Sequence, residues 1–466
     1  MAFPHLSRAA AMGAAGFTAL LMAGCASVTP DGGFDAVARS AQARGQPVPK
    51  LVRNEADEQA VRATVRELLA RPLGMDEAVR IALINHPGLQ ASYWNVGIAQ
   101  ADLAQAARLQ NPSFGFKRIA GGGAVEIERS LTFSLVNALT LPLAKRVESA
   151  RYESARLAVG REIERHALET RRAWVEAVAA RQALEYARRV NAAADASADL
   201  MGRMSRSGNA SKLDLAREQA FYAEANAGVA RADTQATGSR ERLTRLLGLW
   251  GADAGYTLPE RLPELPAAAA DIPDLERLAI ERRFDVQAAR QDAAALAQNL
   301  GLSRTTRFVN VLELGFERKS ETDAPRARGY EISLELPLFD WGTARVARAE
   351  ASYMQSLRRV AETAVNARSE ARERYLAYRA AWDLARHYRD NVLPLRKQIS
   401  SEVLLRYNGM LASTFELLTD AREQAAAVNA TIEAQKEFWS AHAALEEALG
   451  GPVAHATPAT NKEHAQ

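Results

Sequence analysis

Few residues in this 466-residue chain are of a type that performs covalent chemistry: seven histidines, eight methionines and one cysteine. His86, His166 and His387 stand far apart in sequence, and each reads as a helix-surface or packing residue. There is no GxSxG elbow, P-loop, HExxH pair or dinucleotide fingerprint. No catalytic residue, cofactor or resident metal is therefore expected. So few soft donors also argue against a dedicated soft-metal relay in this chain. Lysine plus arginine nearly balance aspartate plus glutamate, for a net charge of +3. That balance gives no electrostatic case for a nucleic-acid partner, which usually meets a clustered basic face.

The one chemically distinctive group is the thiol of Cys25. It closes the run Leu21-Met22-Ala23-Gly24-Cys25, after Arg8 and an apolar stretch over 9–23. The stretch is too short for a permanent spanning helix and reads as a secretory signal over residues 1–24. Its end resembles a bacterial lipobox, with Met22 where leucine is more usual. The resemblance implies that Cys25 is lipidated and becomes the first mature residue. Ala26 follows, with no aspartate to retain the product at the inner membrane, so the pattern implies the outer membrane. A lone cysteine also excludes an intrachain disulfide.

Residues 25–53 are rich in Pro, Gly, Ser and Asp and are expected to form an extended lipid-linked tether. A short helix is expected over 54–70 with Asn54 as cap, and another from Met75 with Asp76 as cap. Apolar spacing resumes after His86-Pro87 and ends at Asn111-Pro112. Then the period drops to two. Residues 113–119 alternate in part, Gly121-Gly122-Gly123 makes a loop, and 125–136 alternate clearly. Val125, Ile127, Arg129, Leu131, Phe133 and Leu135 share one side. Glu126, Glu128, Ser130, Thr132 and Ser134 share the other. A very long helix is expected over 142–205, on the order of 100 Å at about 1.5 Å per residue. Gly208-Asn209 turns it back into a second helix over 211–247.

A second copy of this order follows a linker over 252–272. Residues 82–91 align with 279–288, Phe116-Lys117-Arg118 with Phe316-Glu317-Arg318, and 131–135 with 332–336. Ala216-Arg217-Glu218-Gln219 recurs as Ala421-Arg422-Glu423-Gln424. A steady offset of about 200 residues marks an internal duplication. The repeats run over 54–251 and 273–449, with a tail over 450–466. In the second, 342–449 fold back near Arg406-Tyr407-Asn408-Gly409, and Pro394 should bend or break the helix it lies in.

Four strands cannot close a barrel, since small barrels need about eight. Open edges do not persist in lipid, where an unpaired backbone group is costly. If the strands enter a membrane, several chains must share one barrel, and three would supply twelve strands. The expected fold class is mainly α with a small membrane β part. It would be a homotrimer sharing a 12-stranded β-barrel continuous with a long α-helical barrel, built from two internal repeats.

The order of elements, the lipobox, the duplication, His86-Pro87, and Tyr407-Asn408-Gly409 followed by Glu416-Leu417-Leu418 resemble the TolC-type outer-membrane efflux proteins. The resemblance covers the chain from Leu73 to Leu449. It implies a homotrimer anchored in outer-membrane lipid, projecting into the periplasm, with a periplasmic adaptor and an inner-membrane transporter as partners. It implies that the helix turns form a periplasmic tip, with acidic rings just beyond them gating the pore. The matching positions are Asp214 and Glu416, with Asp420 one turn on. Arg206, Arg406 and Tyr407 would latch neighbouring hairpins. Gly208 and Gly409 would make the tight turns and meet the adaptor. The family's tip arginine is not matched, since Leu411 and Ala412 stand in that neighbourhood. Two other readings use the same residues: a duct for type I protein secretion, and a non-channel periplasmic coiled-coil lipoprotein. The alternating strands argue against the second.

Overall fold

Period-two alternation builds one antiparallel sheet out of both halves of the chain. In the computed structural model, which describes residues 28–308 and 311–453, strands β1 (Ser113–Gly121), β2 (Ala124–Ser134), β3 (Leu312–Glu321) and β4 (Ala327–Leu334) lie in the order β1-β2-β3-β4. Each repeat contributes a hairpin, and β2 pairs with β3 across the duplication. β1 and β4 are the sheet's edges. Gly122 and Gly123 turn the first hairpin at φ of 59° and 85°, a backbone region open to glycine without steric cost.

The helices are α1 (Phe34–Ala43), α2 (Glu55–Leu69), α3 (Met75–Asn85), α4 (Pro87–Ala106), α5 (Leu135–Arg206), α6 (Lys212–Leu247), α7 (Leu275–Arg282), α8 (Phe284–Thr305), α9 (Thr343–His387), α10 (Leu393–Asn408) and α11 (Thr414–Leu449). None is long and apolar enough to cross a membrane. Residues 1–27, among them the signal segment and Cys25, lie outside the described part, as do 454–466 of the tail.

Several local expectations are corrected. The tether is not extended throughout: α1 forms within it, and Phe34 is buried with its ring 4.6 Å from that of Tyr93. Asn54 caps α2 as expected, its Oδ1 accepting from the Asp57 N–H at 2.9 Å. Asp76 does not cap α3: Gly74 holds that position, and Asp76 sits in the first turn, where a carboxylate suits the helix dipole. α5 begins before Pro142 and carries it in its interior. The lost N–H removes one bond near the start of 72 residues of helix, too little to stop it. Before Pro394 the chain forms a π-helical turn, Tyr388–Val392, the widening that a proline ring demands of the preceding carbonyls.

The described residues divide into two units. The first holds the sheet, within Tyr93–Val159 and Asp285–Ala364 together with the chain up to Val37. The second holds Ala38–Ser92, Gly160–Phe284 and the chain from Val365 onward. Its main core packs Val65 and Leu68 of α2, Ile81 of α3, Trp174 and Val178 of α5, and Leu243 and Leu247 of α6. The expected linker is a strap on this unit. Tyr256, Leu258 and Leu262 are buried in the core, and the Pro263 carbonyl accepts from Gln435 at 2.7 Å and Trp439 at 3.1 Å. A buried ion pair, Arg171 to Glu446 at 2.7 Å, joins α5 to α11.

The duplication is visible in how each repeat ends. α3 and α4 are separated by one extended residue, His86, and α7 and α8 by Arg283. Gly248 after α6 and Gly450 after α11 are both left-handed caps. A Cβ on Gly248 would stand 3.0 Å from the His86 Cα, and one on Gly450 would stand 2.9 Å from the Arg283 Cα. Each hairpin thus returns onto the helix break of its own repeat.

Candidate functional site

The residues singled out near the helix turns all lie in the second unit. The first turn is made by Gly208, with φ of 79° and nothing within 4 Å of an added Cβ. The second is not made by Gly409, whose φ is −82°. Met410 takes the left-handed conformation there, at φ 59°, an uncommon state for a residue with a side chain. Sequence reasoning assigned it to the glycine because of its type alone.

Beyond each turn a serine caps the returning helix. The Ser211 Oγ accepts from the Asp214 N–H at 3.0 Å and donates to the Asp214 carboxylate at 2.6 Å. The Ser413 Oγ accepts from the Glu416 N–H at 3.2 Å, and the Ser413 N–H donates to Glu416 Oε2 at 2.7 Å, a full capping box. The donated Ser413 N–H, then its hydroxyl, hold the Glu416 carboxyl below the usual glutamate range. Asp214 and Glu416 therefore occupy equivalent positions in the two repeats, each with a local hydrogen-bonding role. The S-x-x-D/E spacing carried this signal in the sequence.

Asp420, the third acidic position, is buried, and its Oδ1 has no hydrogen-bond partner among the described residues. A residue missed at the sequence level is more extreme. Glu218 on α6 is 0% exposed, and neither carboxylate oxygen has a partner among the described residues.

Among the described residues the latch residues make no ion pair or side-chain hydrogen bond to the other hairpin. Arg406 pairs with Glu402 of its own helix at 3.1 Å. Arg206 is exposed in the last turn of α5, and Tyr407 is half-buried. The hairpins are joined instead by residues of the duplicated A-R-E-Q motif and their neighbours. Arg217 lies 4.9 Å from the Phe415 ring centroid and Arg422 4.7 Å from that of Phe221. Ala194, Phe221 and Leu418 form a small core beside them. Apolar side chains crowd the turns in the open: Leu213, Leu405, Leu411 and Phe415 are exposed, and Met410 is 94% exposed.

His86 and His166, far apart in sequence, are packed together with ring centroids 4.3 Å apart and planes tilted by 43°. The His166 Nε2–H donates to the Leu246 carbonyl at 2.9 Å, and His86 Nδ1 accepts from the Leu89 N–H at 3.2 Å. Desolvation lowers the pKa of both rings. Among the described residues no group of three or more His, Cys, Asp or Glu is placed to hold a metal ion.

No family model matches the chain. Among curated proteins, protein CyaE of Bordetella pertussis is 26% identical over 309 residues, covering 61% of this chain. The match spans 65%, just under two thirds, of that relative's length. Among solved structures, a membrane protein from Pseudomonas aeruginosa superposes with a TM-score of 0.68 at 20% identity, covering 83% of this chain and 94% of that one. The Campylobacter jejuni CmeC outer membrane channel gives 0.67 at 16% identity, covering 81% and 86%. CmeC and two further matched structures, OprN and Neisseria gonorrhoeae MtrE, are outer-membrane channels of the TolC type, and the chain has their fold.

Proposed function

We propose that this chain is one subunit of a trimeric outer-membrane channel, a passive exit duct for substrates delivered by an inner-membrane transporter through a periplasmic adaptor. The observation that carries the reading is the four-stranded sheet. It has two free edges, β1 and β4, one face mostly apolar and one mostly polar. A sheet of this kind is stable in lipid only when its edges are paired, and β4 of one copy against β1 of the next pairs them. Three copies give twelve strands. Cys25 carries the lipid that anchors the subunit at the outer membrane, and the helices project into the periplasm. Energy comes from the partner pump.

In this reading the turns at Gly208 and Gly409 form the periplasmic tip. The exposed Met410, Leu411, Leu405 and Leu213 supply apolar surface for the adaptor. Asp214, Glu416 and Asp420 are the candidate gate carboxylates. Three copies of each would set like charges around one axis, favouring cations and opposing closure. Arg206, Arg406 and Tyr407 are the candidate latch between copies.

The test is disulfide trapping in outer membranes. Lys117→Cys in β1 is combined in turn with cysteines along residues 328–334 of β4. A covalent trimer from one register supports the shared barrel. Monomers at every register, in protein that fractionates with the outer membrane, contradict it.

A further inference from the structure

The sheet's two faces carry opposite charge. The pairing places Lys117, Glu126, Glu128, Glu313, Glu317, Lys319, Glu321 and Glu331 on one face. There the cations are neutralised, Lys117 by Glu128 at 3.5 Å and Lys319 by Glu126 at 2.8 Å. The other face has no carboxylate in the strands. It carries Arg118, Arg129, Arg318 and Arg328, all exposed. Among the described residues none of the four is in an ion pair.

Their register is unusual. Phe116 stands opposite Arg129, Arg129 opposite Arg318, and Arg318 opposite Arg328. Three arginines thus form one row across adjacent strands about 4.8 Å apart. Like charges directly opposite one another destabilise a sheet. An anion would relieve such a row; Arg129 lies 5.9 Å from the Phe116 ring centroid, but among the described strand residues this face supplies no carboxylate. Beside it, away from the hairpin turns, run apolar rows: Phe114, Leu131, Phe316 and Tyr330, then Phe133, Leu314 and Ile332, then Leu312 and Leu334. Phe114, Phe316 and Tyr330 are more than half exposed. Apolar rows capped by arginines match a lipid molecule from acyl chain to anionic headgroup. A free phosphate would have no use for them.

We propose that Arg129, Arg318 and Arg328, with Arg118 beside them, bind the phosphate groups of the phosphorylated glycolipid of the outer leaflet. The proposal rests on the channel reading, which puts the helices in the periplasm and the hairpin turns at the outer surface. Guanidinium groups suit this ligand because their fork matches phosphate oxygens bidentately. Arg129 is the middle residue of β2, and the row closes the fully apolar half of the sheet, so the half nearer the hairpin turns would stand beyond the headgroups; the cost of a lipid-facing arginine is small near the interface and large at the midplane.

The test uses the full-length protein, purified in detergent with EDTA, and bisphosphorylated lipid A as probe. Retained lipid is counted by mass spectrometry after gel filtration, and insertion is checked by channel formation in phosphatidylcholine bilayers. The expected result is at least tenfold less lipid A on the Arg129→Gln, Arg318→Gln, Arg328→Gln variant, and as little dephosphorylated lipid A on wild type. Lys117→Gln with Lys319→Gln on the opposite face should retain lipid A normally. Equal retention by wild type and the arginine variant, both inserting, overturns this proposal and leaves the channel. Wild type that makes no channels overturns both. If the glutamine variant does not fold, the dephosphorylated probe on wild type decides, and equal retention of the two lipids overturns the proposal.

Discussion

Arg217 of α6 lies over the ring of Phe415 of α11, and Arg422 of α11 lies over the ring of Phe221 of α6. The two arginines are repeat equivalents, each in an A-R-E-Q sequence. The duplication has thus produced a reciprocal stitch between the returning helices of the two hairpins, just beyond the turns that the channel reading places at the tip.

A double-mutant cycle on Arg217→Ala and Phe415→Ala should give a coupling of about 0.5–1 kcal/mol, the range for an exposed cation–π pair. The Arg422 and Phe221 cycle should give more, up to about 2 kcal/mol, because Phe221 is buried. Denaturant midpoints of the purified protein measure both. Strict additivity would mean that the rings and guanidinium groups are neighbours without being partners.

Glu218 is the one fully buried acid with two unpartnered oxygens among the described residues. A polar group buried without hydrogen bonds costs stability. Glu218→Leu should therefore stabilise the protein by about 1–3 kcal/mol, read from the shift in denaturation midpoint. Destabilisation by this substitution would show that a neighbouring copy gives the carboxylate a partner.

The turn and cap glycines should separate into classes. Gly248→Ala and Gly450→Ala force a side chain into left-handed backbone, costing roughly 1–2 kcal/mol, and drive it into the neighbouring helix break as well. Gly208→Ala should cost only the first part, because its surroundings are open. Gly409→Ala should be nearly neutral, and Met410→Gly should stabilise by about 1 kcal/mol. Thermal denaturation of the five variants gives the order directly.

The paired histidines set a pH dependence. Burial depresses the pKa of both rings from 6.5, so between that value and the folded values the unfolded chain binds more protons. Their contribution is present above about pH 6.5 and is lost as the pH falls through the folded pKa values. His86 also meets the charge of His166, while Glu162 and Glu169 act the other way and Arg165 opposes charging of His166. The melting temperature should fall between about pH 7.5 and about pH 5.5. His166→Gln, which can still donate to the Leu246 carbonyl, should flatten that slope. An unchanged slope would remove the pair as its source.

Much of this was legible in the residues. Alternation over 113–119 and 125–136 announced the first two strands, though Leu135 and Val136 belong to α5, and the matched offsets gave the second hairpin. α1 was hidden because a ten-residue helix between proline-rich segments has too little pattern of its own. It exists because Phe34 finds Tyr93. The start of α5 was misplaced because proline favours the first turn of a helix, yet here sits inside one. The acids of the candidate gate were legible as positions. The engagement of Asp214 and Glu416 in the caps of Ser211 and Ser413 was legible only from the three-residue spacing. Glu218 gave no signal beyond its repeat, since burial of a helix carboxylate depends on which neighbours arrive from distant sequence.

In the channel reading, copies of this chain make a pore. Single-channel recording of the purified full-length protein in a planar bilayer tests it most directly, with Glu416→Ala alongside. Discrete, cation-favouring conductance steps, altered in selectivity or opening by Glu416→Ala, are the predicted result. Membrane-inserted, folded protein that passes no current would contradict the claim.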